Sequence, residues 1–195
     1  MFAALAGVAA GLVHVLSGPD HLAAVAPLSA DRHRAQWRAG LQWGLGHTAG
    51  VLLVGLLLIA FRELLPVDAI SAYSERLVGL VLLVVGAWGF SRARLPQPHA
   101  HPAAGASFAM GTLHGLAGSS HLFGVLPALA LPTPLAAVGY LGGFGVGAVL
   151  AMTVFSALVG AIALRAARRG VNAYRGMLYA CSLAALCVGG FWLIA

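Results

Sequence analysis

His14, Asp20 and His21 fall inside an otherwise apolar stretch, in the segment HVLSGPDHL at residues 14–22. Imidazole nitrogens with a carboxylate oxygen form a ligand set suited to borderline divalent ions such as nickel, cobalt or zinc. His47, in GLGHTAG, and His114 and His121, in HGLAGSSHL, repeat that chemistry at three more apolar positions. A single histidine in an apolar helix is more often an interhelical hydrogen-bond partner. Five histidines and a carboxylate are harder to assign to packing, because ionisable groups in such surroundings are costly and usually line a pathway. The candidate metal ligands are therefore His14, Asp20, His21, His47, His114 and His121. The ion they would hold is a cargo; no catalytic residue and no resident cofactor is expected.

These residues need an apolar scaffold, and composition supplies one. The chain has 195 residues, 61% hydrophobic and 8% charged, with a mean hydropathy of +0.93. A soluble domain carries about 25% charged residues, so this chain lacks the means to cover a water-facing surface. Apolar runs near the length needed to cross a bilayer, about 20 residues, recur at 1–28, 39–61, 74–91, 106–130, 135–163 and 174–195. The expected fold is an all-α integral membrane protein of six transmembrane helices. The first run lacks a positively charged leader segment and reads as a retained helix rather than a signal peptide. Cys181 and Cys187 share the last run. They lie roughly 9 Å apart along a helix axis, too far to bridge, and read as packing residues.

Charge gives an orientation. All eleven basic residues are arginines. Arg32, Arg34 and Arg38 follow the first run, Arg92 and Arg94 the third, and Arg165, Arg168, Arg169 and Arg175 the fifth, with Asp31 the single acid among them. The other connections hold Arg62 and Arg76 beside Glu63, Asp68 and Glu75, and the uncharged LPTP. The positive-inside rule puts the arginine-rich connections in the cytoplasm and both termini outside, in a cell (inner) membrane. Arginines so placed are a topological signal, and nucleic acid is not an expected partner.

An internal repeat organises the candidates. At a shift of 100, GLVHVLSGPDHLAAVAPL (11–28) lies over GTLHGLAGSSHLFGVLPA (111–128), matching Gly11, His14, Leu16, Gly18, His21, Leu22, Val25 and Pro27 to identical residues. At a shift of 99, Gly40, Gly44 and Gly46 meet Gly139, Gly143 and Gly145. Each half holds three spans, and an odd number inverts the second copy. The expected architecture is a 3+3 inverted repeat: residues 1–91, a cytoplasmic linker 92–105 carrying His99 and His101, and residues 106–195. Secondary transporters are built this way, with sites near the midplane at interrupted helices.

Helical rise of about 1.5 Å per residue places His14, His47 and His114 roughly 12–20 Å inside their spans, near the middle of a core about 30 Å thick. Ser17-Gly18-Pro19 should break the first helix, since Pro19 cannot donate a hydrogen bond but suits the first turn of a new helix. Asp20 in that turn is favoured by the helix dipole. The fourth helix is expected to break at the matching place. There Ser119 and Ser120 replace Pro19 and Asp20, so the intramembrane carboxylate comes from the first half alone. Small residues at four-residue spacing, Gly139, Gly143 and Gly147 against Gly40, Gly44 and Thr48, predict that spans two and five cross.

HVLSGPDHLAAVAPL followed by LGHT resembles the nickel/cobalt transporter superfamily, most closely its small six-span branch of urease-accessory-type (UreH-like) membrane proteins. GTLHGLAGSSHL is similar to that branch's second-half motif. The resemblance implies that His14, Asp20 and His21 form the metal signature and that His47 is the histidine of the LGH motif. The larger permeases separate the first histidine from Asp-His by four residues, whereas five lie between His14 and Asp20.

The expected function is transport of a divalent transition-metal cation, nickel or cobalt, through a His/Asp site. Moving two charges inward gains roughly 4.6 kcal/mol per 100 mV, which favours uptake. Proton-coupled efflux is the alternative, because histidine titrates near neutral pH. Expected partners are the ion, the bilayer, and a cytoplasmic metallochaperone or a urease or hydrogenase maturation protein. An intramembrane serine protease built on GLAGSSHL is a weaker alternative. It needs a base within reach of the serine, and the sixth span has no histidine.

Overall fold

The computed structural model describes residues 1–30, 35, 37–61, 67–95, 105–117 and 120–194; within these, the side chains of 56–61, 67–72, 74, 117, 120–123 and 125 lie outside the described residues. The described residues form helices and no strands: α1 Phe2–Ser17, α2 Pro19–Ser29, α3 Trp37–Phe61, α4 Val67–Arg94, α5 Ala106–Ala117, α6 Ser120–Leu129, α7 Pro134–Arg169 and α8 Val171–Ile194. By length and composition, three of these helices could cross a membrane, and a fourth crossing is added if α1 and α2 form one bent span. Along α7, Val146, Leu150, Val154, Leu158 and Ile162 are each at least half exposed. Their four-residue spacing makes a continuous apolar stripe on one helix face, a surface suited to lipid rather than water.

The expected break in the first span is present. α1 and α2 meet at an angle of 75°, with Gly18 extended at φ −90° and ψ 99° between them. A proline disfavours helical geometry in the residue before it, so Pro19 forces this conformation on Gly18. The Gly18 carbonyl then accepts from the amides of His21 and Leu22 at 3.2 and 3.4 Å, and α2 starts with Pro19 in its first turn. In the second half, α5 and α6 occupy the aligned stretch; residues 118 and 119 between them lie outside the described residues. The LPTP connection caps α7, where Thr133 Oγ1 accepts from the Ala136 amide at 3.2 Å and Pro134 takes the first turn.

Four seams assemble the helices: α1 along α7, α5 along α3, α4 along α8, and α3 across α7. At the first two, backbone runs directly against backbone. A Cβ on Gly11 would strike the Phe144 carbonyl, and one on Gly143 the Ala4 carbonyl. In the same way Gly111 lies on the Trp43 carbonyl and Gly46 on the Phe108 carbonyl. Glycine alone permits this approach.

α3 and α7 cross as expected, but by different residues. Gly40 packs on Met152 and Ser156, Gly44 on Val149, and Thr48 Oγ1 donates to the Gly145 carbonyl at 3.4 Å. Gly143 and Gly147 face Ala4 and Val8 of α1 instead, and Gly139 has nothing within 4 Å. Four-residue spacing identifies a close-packing face, but it cannot say which neighbour uses it.

The far end of α2 is tied down by hydrogen bonds. The Gly40 amide donates to Ser156 Oγ (3.0 Å), Ser156 shares a bond with Ser29 Oγ (2.7 Å), and Ser29 donates to the Val25 carbonyl (2.9 Å). Tyr174 donates to the Ala30 carbonyl at 2.7 Å, and buried Arg92 donates to the Tyr174 hydroxyl at 3.4 Å. With its last residues fixed to α3, α7 and α8, α2 holds its first turn among the histidines. Cys181 and Cys187 are both free thiols.

Candidate metal centre

Four helices deliver one polar group or more each to the same place. His14 comes from the last turn of α1, Asp20 and His21 from the first turn of α2, His47 from α3 and His114 from α5. The break at Gly18 is what brings the first two elements together. A continuous helix would put His14 and Asp20 six residues apart on different faces, whereas the 75° turn folds Asp20 and His21 back beside His14. A Cβ on Gly18 would run into the His21 ring, so glycine is required there by proximity as well as by the turn.

The distances are short. Asp20 Oδ1 lies 3.0 Å from His21 Nδ1 and Asp20 Oδ2 lies 3.1 Å from His114 Nε2. The His21 ring centroid is 4.6 Å from that of His14, 4.9 Å from His47 and 4.7 Å from His114. Asp20, His21, His47 and His114 are buried, and His14 is half-buried. Among the described residues, two sets of three offer ligand atoms all within 4.8 Å of one another: His14 with His21 and His47, and Asp20 with His21 and His114. A metal-ligand set must have its donors this close, because each bond to a borderline ion is only about 2.0–2.2 Å long.

Of the six candidates from sequence, five are thus brought together. The side chain of His121 lies outside the described residues, as do those of Ser119 and Ser120 on which the protease alternative rests. His33, His99 and His101 also lie outside them.

Two aromatic residues join the site that sequence reasoning had left out. Trp43 is fully buried with its ring 5.8 Å from His114. The Phe144 ring is 5.2 Å from His14, and a Cβ on Gly124 of α6 would press against it. Trp43 had a readable signal, since it precedes His47 by four residues and so shares its helix face. Phe144, placed by the α1–α7 seam, had none.

The chain is similar to a urease accessory protein. Urease accessory protein UreH of Bacillus sp. (strain TB-90) is 28% identical over 174 residues, covering 79% of this chain and 74% of that protein. Identity is higher to two proteins of Arabidopsis thaliana. Chloroplast protein FOR GROWTH AND FERTILITY 2 is 38% identical over 200 residues, with 94% of this chain and 54% of the relative covered. Chloroplast protein FOR GROWTH AND FERTILITY 1 is 38% identical over 177 residues, with 79% and 48% covered. The chain therefore spans about half the length of the chloroplast relatives it matches. None of the three names denotes an enzyme. No family model matches the chain, and no solved structure matches it.

Proposed function

We propose that this protein carries a divalent transition-metal ion, nickel or cobalt, across a lipid bilayer by way of His14, Asp20, His21, His47 and His114, with His121 as a sixth contributor. One observation carries the reading. Four imidazoles and a carboxylate from α1, α2, α3 and α5 converge on one buried place, in a chain with only five acidic residues in all. Nitrogen and carboxylate donors suit borderline ions. Similarity to a urease accessory protein agrees with the nickel/cobalt resemblance of the motifs.

The six-span, inverted-repeat architecture belongs to the same proposal, with α1–α2 and α5–α6 each forming one interrupted span. The helix seams support it. The aligned residues Gly11 and Gly111 each lie on a backbone carbonyl of the opposite half, at Phe144 and Trp43. Thus α1 of the first half packs on α7 of the second, and α5 of the second packs on α3 of the first. Exchange of this kind is what a two-fold pseudo-axis between halves produces. The arginines of the first, third and fifth connections mark the receiving side. Membrane potential then drives uptake into the cytoplasm, where a metallochaperone or a urease or hydrogenase maturation protein would collect the ion.

Purified protein in liposomes with an imposed inside-negative potential tests the reading. Expected is Ni²⁺ or Co²⁺ accumulation that collapses with the potential. Flux that follows a proton gradient outward would favour the efflux alternative. Liposomes that take up neither metal under either gradient would sink the proposal.

A further inference from the structure

The five polar groups fall into two close sets. Their donor atoms divide into two triads, His14–His21–His47 and Asp20–His21–His114, and only His21 belongs to both. The two differ in donor type and in burial. One is built of imidazoles alone and includes the half-buried His14; the other is wholly buried and holds the carboxylate. Asp20 spends its two oxygens within its own triad, Oδ1 on His21 and Oδ2 on His114.

We propose that the site is a two-station relay in which a single ion passes between a neutral station, His14–His21–His47, and a charged station, Asp20–His21–His114, with His21 as the ligand common to both. This rests on the metal-transport reading above.

Ring geometry supports the shared role. The His21 ring stands at 79° to His14, 81° to His47 and 75° to His114, whereas His14 and His47 lie within 20° of parallel. His21 thus meets each of its neighbours edge to face. An imidazole has two nitrogens on diverging axes, one carrying the N–H and the other the lone pair, so one ring serves both stations without turning over when its N–H proton moves to the nitrogen the ion has left. Simultaneous occupancy is opposed by electrostatics. Two doubly charged ions either side of one ring repel strongly in a poorly screened interior, and one carboxylate cannot offset that. The charged station is the resting place of the ion. The neutral station, reached past His14, is the step by which it arrives or departs. A transported ion must be held and also released, and a weaker site beside a stronger one that shares a ligand with it provides both.

The test uses the full chain in lipid nanodiscs with Co²⁺ alone as probe, read by equilibrium dialysis and by the visible absorption of the bound ion. Parallel uptake assays use liposomes. Wild type should saturate at one Co²⁺ per chain. D20N and H114Q should weaken binding by about 10- to 100-fold or more, the range seen when even a ligand's supporting partner is lost. H14Q and H47Q should leave the affinity and spectrum of wild type while uptake at saturating Co²⁺ falls sharply. Two variants on each station guard against one that misfolds. Equal loss of affinity in all four variants would mean one undivided site and overturn the relay, as would two ions bound together per chain. Wild-type protein that binds no Co²⁺ would instead remove the metal-transport reading itself.

Discussion

Asp20 Oδ2 and His114 Nε2 lie 3.1 Å apart although 94 residues separate them in the chain. This pair joins the first half of the sequence to the second at a buried point. It also puts the Asp20 carboxylate in contact with a histidine from α5.

Asp20→Asn keeps the size of the side chain and its value at a helix N-terminus, where Asn is about as good as Asp. It removes the charge that faces the ion. Uptake of nickel and cobalt should fall by about tenfold at least, with normal yield and helix content. Near-normal uptake would show that Asp20 only starts α2.

Gly18→Ala puts a methyl group into the His21 ring. Either the ring shifts or the 75° bend opens, and in both cases the donors part. Co²⁺ binding measured by absorption should drop while thermal unfolding changes little. Unaltered Co²⁺ affinity in this variant would mean that the break does not set the geometry.

Gly111→Val and Gly46→Val insert side chains where α5 and α3 touch through the Trp43 and Phe108 carbonyls. Overpacking costs about 1–3 kcal/mol, and pushing α5 from α3 should separate His114 from His47, whose ring centroids are 5.8 Å apart. Lower melting temperature and weaker metal binding are expected together. Gly139→Ala and Gly176→Ala, where nothing lies within 4 Å, are controls that should alter neither.

Ser156→Ala removes the group that accepts from the Gly40 amide and bonds Ser29. Losing a buried partner costs about 1–3 kcal/mol, and denaturation in detergent should show a loss of that size. Tyr174→Phe, which takes the donor from the Ala30 carbonyl, should act in the same direction. A stability equal to wild type in both would mean that the far end of α2 is held by packing alone.

Orientation is open to a labelling test in a protein whose two native cysteines, both free, are replaced by alanine. A cysteine at Arg168, at the end of α7, should react with impermeant reagent from the arginine-rich side only. One at Pro132, before α7, should react from the opposite side only. Both reacting from one side would invalidate the crossing assigned to α7.

Much of the site was legible in the sequence because polar residues are rare in this chain and each apolar stretch makes them conspicuous. His14, Asp20, His21, His47 and His114 could be named from type and surroundings alone. The Gly18-Pro19 break follows from local sterics, since proline restricts its predecessor in any context. Helix extents were set by apolar run length to within a few residues, although α4 begins at Val67 and α7 ends at Arg169, outside the expected 74–91 and 135–163.

What tertiary structure alone decided is which faces meet. Helical periodicity reports that Gly143 and Gly147 share a face, yet only packing assigns that face to α1 rather than α3. Phe144 reached His14 by the same seam, with no local signal. The division of the histidines into two triads sharing His21 is likewise a matter of a few ångströms among four helices. Sequence specifies donor types and local backbone geometry, which depend on near neighbours. Distances between donors depend on how closely helices far apart in the chain can approach, and that is fixed by the sum of their contacts.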